Sequence, residues 1–269
     1  MIPNPIIKVL STFSKHRVRC LLIGGQACII YGASEFSRDS DFVVFSSTDN
    51  LKNLRAALSE LKARRIYVPT LDKKYLDQGH ACHFRCYASG VERLRVDILS
   101  KLRGCDDFSI LWDRRFKLRI PSGPEINVIN LRDLVVSKKT QRDKDWFMLR
   151  RLVDNDIDLH RNTSNMDKIN WWLCECRNPI YLIELCRKYP DLVRQQRLNR
   201  HLLKSDIKTD PKNCHNYLKM KKRENKRKIG FTGNRLRKNL NYYGINISQK
   251  EYLKKKEWQE TAAICRILW

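Results

Sequence analysis

A chain of 269 residues with 42% hydrophobic content is long enough for a substantial core, in one large or two small domains, which excludes disorder over most of its length. Its 54 Lys plus Arg against 29 Asp plus Glu leave a formal charge of +25; such a surplus attracts polyanions in a salt-dependent way and disfavours small cationic substrates, which need acidic walls. Ten cysteines are too few for a dense disulfide scaffold, and neither a secretory signal nor a membrane-length apolar run is read, so the thiols are expected reduced and the protein cytoplasmic, with no membrane partner.

Taken in chain order, residues 2–15 are expected as an amphipathic helix begun by Pro3 and Pro5. Cys20 to Ile23 read as a buried strand that stops at Gly24-Gly25, with a short helix over Gln26 to Tyr31. Two glycines at such a turn let backbone N–H groups approach a ligand, and the helix N-terminus behind them suits a phosphate. Asp39 and Asp41 then precede the β-rich run Phe42-Val43-Val44-Phe45. Two residues apart on a strand, they point to one side, where paired carboxylates repel unless a cation lies between them. Taken singly, the glycines also read as a common turn and the aspartates as a solvated strand edge.

Ser47-Thr48-Asp49 offers an N-cap for a helix carrying Leu51, Leu54, Leu58 and Leu61, followed by a polar loop over 69–79 and a strand over 80–87. His80, Cys82, His83 and Cys86, like Cys174 and Cys176, lack paired zinc spacing. Asp97 sits in the aliphatic stretch Leu94 to Leu99, in what reads as a central strand. A carboxylate there is costly unless it is bound to metal or neutralised, with Arg95 and Arg103 as candidate partners. Residues 109–115 are expected helical, 116–120 a strand and 121–124 a turn.

Asn130 caps a long helical region whose apolar stripe of Leu131, Leu134 and Val135 continues through Lys138, Arg142 and Asp145 before returning to Leu149, Leu152 and Val153. Polar residues thus fall on the inward face, unless a break near Thr140-Gln141 shifts the phase. Residues 167–201 read as packing helices. From 204 to 256 there are 17 Lys or Arg against four Asp or Glu, with Tyr217, Phe231, Tyr242, Tyr243 and Tyr252 interspersed. That mixture suits a nucleic-acid backbone with stacked bases, or a flexible basic tail. Residues 258–269 read as a terminal amphipathic helix.

The glycine pair, the Asp39-Ser40-Asp41 triplet and the later Asp97 together resemble the nucleotidyltransferase superfamily of the DNA polymerase β type. Ser137-Lys-Lys-Thr-Gln-Arg142-Asp-Lys-Asp145 is similar to the lysine-arginine-aspartate motif of its AbiEii/AbiGii toxin-like branch, over residues 18 to 155. The resemblance implies an α/β (α+β) nucleotidyltransferase core with a small mixed sheet flanked by helices in 1–125. A helical domain with a nucleotide-closing helix would follow in 126–203, then a basic C-terminal extension in 204–269. It implies Asp39, Asp41 and Asp97 as catalytic carboxylates holding two Mg²⁺ ions, Asp97 also receiving the acceptor's proton. Gly24, Gly25, Gln26, Lys138, Lys139, Arg142 and Asp145 would contact the NTP. One departure is Gln26, where the family carries Ser or Thr. The implied reaction moves an NMP from an NTP to a hydroxyl of RNA, such as a tRNA 3′ end, with an antitoxin as partner. Transfer to a small molecule or a protein stands beside it, as does an inactive nucleotidyltransferase scaffold that binds nucleic acid.

Overall fold

The computed structural model describes residues 5–34, 36–120 and 123–196. They fall into two units, one ending at Lys138 and the other beginning at Lys139. The expectations for the basic region 204–256 and the terminal helix 258–269 lie outside the described residues.

In the first unit, α1 (Pro5–Lys15) buries Ile6, Val9, Leu10 and Phe13, the spacing of an apolar helical stripe. β1 (Cys20–Ile23) runs directly into α2 (Gly24–Ile30), and β2 (Asp39–Val44) returns antiparallel to β1. α3 (Thr48–Glu60) begins where Ser47 Oγ accepts from the Asn50 N–H, as the sequence predicts. β3 (Arg64–Arg65), α4 (Lys73–Asp77), β4 (Cys82–Arg85) and β5 (Arg95–Leu99) follow. The expected polar loop over 69–79 therefore contains a short helix, which starts where Asp72 accepts from the Lys74 N–H. α5 (Phe108–Asp113), β6 (Phe116–Arg119), β7 (Glu125–Val128) and α6 (Leu131–Ser137) complete the unit.

The seven strands form one mixed sheet in the order β3-β4-β5-β2-β1-β7-β6. β2 runs parallel to β5, and β1 parallel to β7. Alternation separates its faces along the central strands: Ser40, Phe42, Val96, Ile98, Cys82 and Phe84 are buried on one, while Asp39, Asp41, Arg95, Asp97, His83 and Arg85 lie on the other. α1 covers the apolar face, with the Phe13 and Phe42 ring centroids 4.9 Å apart. Burying each ring stabilises the fold by roughly 2–3 kcal/mol. With one face filled this way, a one-residue slip of β2 would drive Asp39 and Asp41 into the core, so the register of the carboxylates is fixed by packing.

The second unit holds α7 (Asp143–His160), α8 (Met166–Glu175), α9 (Pro179–Lys188) and α10 (Pro190–Gln196). The long helical region expected from Asn130 is two helices, α6 and α7, divided at the alternative break near Thr140-Gln141. α6 stops at Lys138, and α7 starts anew behind a small polar knot in which the Arg142 N–H donates to Thr140 Oγ1. Local side-chain hydrogen bonds of this kind compete with helix continuation.

Candidate functional site

The glycine pair shapes the carboxylate site from below. Gly24 has φ +66°, a left-handed conformation that favours glycine, and a Cβ there would lie 1.9 Å from Asp41 Oδ2. At Gly25 a Cβ would meet Ser37 Oγ at 2.3 Å. The glycines thus make room for Asp41 and for the loop that precedes it, and the Gly25 N–H bonds to the Asp41 carboxylate. Gln26 does not point away into solvent: its Nε2 donates to the Ser37 carbonyl at 3.3 Å, tying α2 to that loop.

Asp41 and Asp97 are direct partners across the parallel β2–β5 pair, and Asp39 lies one pleat along on the same face, opposite Arg95. Burial first, then the negative charge of Asp97, push the Asp41 carboxyl above the usual carboxylate range, with a further push from Asp39. Lys138 and the Gly25 N–H act in the opposite sense. The three sequence-predicted carboxylates are therefore close enough to repel one another, and Lys138, only 7% exposed, is the cation whose field reaches Asp41. Of the two lysines considered, the one in the apolar stripe is the one brought to the carboxylates.

Asp97 is 8% exposed and heavily engaged. Arg95 grips it with both arms of its guanidinium, Nε to Oδ1 at 2.8 Å and Nη2 to Oδ2 at 2.9 Å, a charge-assisted fork. His83, its cross-strand partner on β4, brings Nδ1 to 2.9 Å from Asp97 Oδ1. Sequence reading named Arg95 as a neutralising partner but placed His83 only among candidate zinc ligands. Its strand alternation with buried Cys82 and Phe84 was the available signal, since that pattern turns His83 to the opposite face.

The remaining predicted nucleotide contacts belong to the second unit. Lys139 Nζ pairs with Glu175 Oε1 at 2.6 Å, and Arg142 Nε with Asp145 Oδ2 at 2.7 Å. Asp145, fully buried, also accepts from Thr140 Oγ1, and Trp146 Nε1 donates to the Thr140 carbonyl at 2.6 Å. With Asp143, Asp145 places negative charge in the first turn of α7, where the helix dipole favours it.

Whether divalent cations suit these residues can be judged from the same contacts. Asp39 and Asp41 fit an ion: both face one side, and Asp41 is held in a mutually repelling cluster that a cation would relieve. Asp97 in this arrangement is spoken for by Arg95. Accordingly, no group of three or more His, Cys, Asp or Glu is disposed to hold a metal among the described residues. None of their helices is long and apolar enough to cross a membrane.

No family model matches the chain, and no curated protein matches it. Among solved structures it is similar to JHP933 from Helicobacter pylori, at 14% identity and TM-score 0.37, over 84% of this chain and 90% of that one. It is also similar to an H. pylori protein provisionally described as a nucleotidyltransferase, at 14% identity and TM-score 0.39, over 84% of this chain and 93% of that one. Overlap this loose carries no inference about chemistry, which rests on the site itself.

Proposed function

We propose that the chain is a nucleotidyltransferase that moves an NMP from an NTP to a hydroxyl of RNA, releasing pyrophosphate, in the cytoplasm. The observation that carries this reading is the cluster of Asp39, Asp41 and Asp97 on one face of adjacent parallel strands, with Asp41 half-buried, crowded by like charge and seated in space that only a glycine at position 24 leaves open. A fold seldom assembles mutually repelling carboxylates without a use for them.

Asp39 and Asp41 would hold Mg²⁺, which when bound supplies positive charge to the attacking and leaving oxygens of an in-line displacement. Lys138 adds charge beside Asp41, favouring the negative charge that develops on pyrophosphate. Asp97 is the group to receive the proton of the acceptor hydroxyl, and Arg95 fixes the position of its carboxylate. The net charge of +25 favours a nucleic-acid acceptor over a small cationic one. A tRNA 3′ end and an antitoxin partner are the toxin-like form of the same reading.

The Arg95 fork favours one second reading, an inactive scaffold that binds nucleic acid, because it already satisfies both Asp97 oxygens. One experiment separates the two. Purified protein is incubated with Mg²⁺, each α-labelled NTP in turn and total cellular RNA, beside an Asp39→Ala, Asp41→Ala double variant. Label entering RNA with the wild type alone supports the transferase; RNA binding without incorporation supports the scaffold.

A further inference from the structure

Beyond Asp97 the site face continues across two more strands, and its charge reverses. The register places Asp39 opposite Arg95, Arg95 opposite Arg85, and Arg85 opposite Arg64, so one row runs from the carboxylates to the sheet edge on a single face. At 4.7–4.9 Å per strand the row spans about 14 Å. Like charges directly opposite one another destabilise a sheet. Yet Arg64 and Arg85 have no carboxylate partner among the described residues, and Arg85 Nε is buried with no hydrogen-bond partner there. Arg95 is turned to Asp97, which leaves these two guanidinium groups uncompensated.

Two aromatic rings flank the row. Tyr67, 58% exposed, meets the His83 ring edge-on with centroids 5.7 Å apart, and the Arg95 guanidinium carbon is 5.8 Å from its centre. Tyr87, also exposed, lies under the Arg64 guanidinium at 5.4 Å. Cations spaced along a strand row, with exposed rings beside them, match a single-stranded backbone whose unpaired bases can stack. Tyr67 touches the very histidine that contacts Asp97, so a base stacked there lies within one side chain of that carboxylate's partner.

We propose that this β3–β4–β5 edge is the docking track for the single-stranded 3′ end of the RNA acceptor, with Arg64 and Arg85 on its phosphates and Tyr67 under a terminal base. The proposal rests on the transferase reading for its direction, but it is tested by binding alone. Affinity of the full chain for a short single-stranded RNA is measured across a salt series, without NTP. An Arg64→Ala, Arg85→Ala variant lowers the slope of log K against log salt by about 1.4, at about 0.7 per lost phosphate contact. Arg64→Lys, Arg85→Lys keeps the slope, because the charges remain. Tyr67→Ala weakens binding about tenfold at fixed salt with the slope unchanged. Urea midpoints matching the wild type show that each variant is folded. An unchanged slope in the alanine pair overturns the track, as does an equal loss on duplex RNA, which cannot present unpaired bases. Slope loss without nucleotide incorporation sinks the enzyme reading and leaves the track standing; incorporation with an unchanged slope does the reverse.

Discussion

Both units hold aspartates away from solvent, and Asp41 in the first is treated in the opposite way to Asp156 and Asp158 in the second. In the second unit Asp156 accepts from Trp172 Nε1 at 2.7 Å and Lys168 Nζ at 3.2 Å, with His160 Nδ1 3.0 Å from its Oδ1, and Asp158 accepts from the Tyr181 hydroxyl at 2.8 Å. Asp145 is closed off by Thr140 and Arg142. In the sheet, Asp41 instead looks at Asp97 and Asp39. Carboxylates met by donors of their own hold helices together, whereas a carboxylate crowded by others is a candidate for binding something that arrives from outside.

The sharpest break of this contrast is substitution at Asp41. Asp41→Asn is expected to cut nucleotide incorporation by about a thousandfold or more, while the thermal midpoint stays level or rises, because a repelled, half-buried charge has gone. A midpoint that drops instead would make Asp41 another structural carboxylate. Asp156→Ala should behave in the opposite way. It strands the Trp172 N–H and the Lys168 ammonium, and denaturant titration should show a loss of about 3 kcal/mol in the second unit.

Asp154 tests the same contrast by pH. Burial pushes its carboxyl up to about 6, against the help of Asn178 and Arg150. A carboxyl raised in the fold contributes most below its unfolded value near 3.8, and that contribution is lost as pH rises through about 6. Asp154→Asn should therefore stabilise the protein at pH 8 by about 2 kcal/mol and flatten its stability between pH 4 and 7, read by urea denaturation at each pH. The smallest effect concerns ion capture. With its carboxyl raised, Asp41 takes up a proton at a higher pH than an ordinary carboxylate, so Mn²⁺ binding followed by electron paramagnetic resonance should weaken already in mild acid. In Asp41→Asn the binding that remains, through Asp39, should lack that step.

Much of this was readable in the chain. Ser47 and Asn130 cap the helices they announce, and the Asp39, Asp41 alternation and the aliphatic setting of Asp97 identify the central strands. What the sequence could not give was register. That His83 lies opposite Asp97 depends on how β4 and β5 align across non-local pairing. β3 is two arginines long and β7 only four residues, too short for periodicity to speak. The stop between α6 and α7 falls at the break near Thr140-Gln141 that the sequence left open; the apolar stripe alone could not decide it, because Thr140, Arg142 and Asp145 satisfy one another locally.

The bare backbone at Gly24 makes position 24 a place where the carboxylate cluster can be disturbed without any change of charge. One methyl group there would need the space that Asp41 Oδ2 occupies, so Gly24→Ala evicts the carboxylate while the arginine row of the neighbouring strands stays as it was. Under the proposed function such a variant is expected to keep its affinity for RNA and lose nucleotide incorporation, through a change invisible to any inventory of charged side chains.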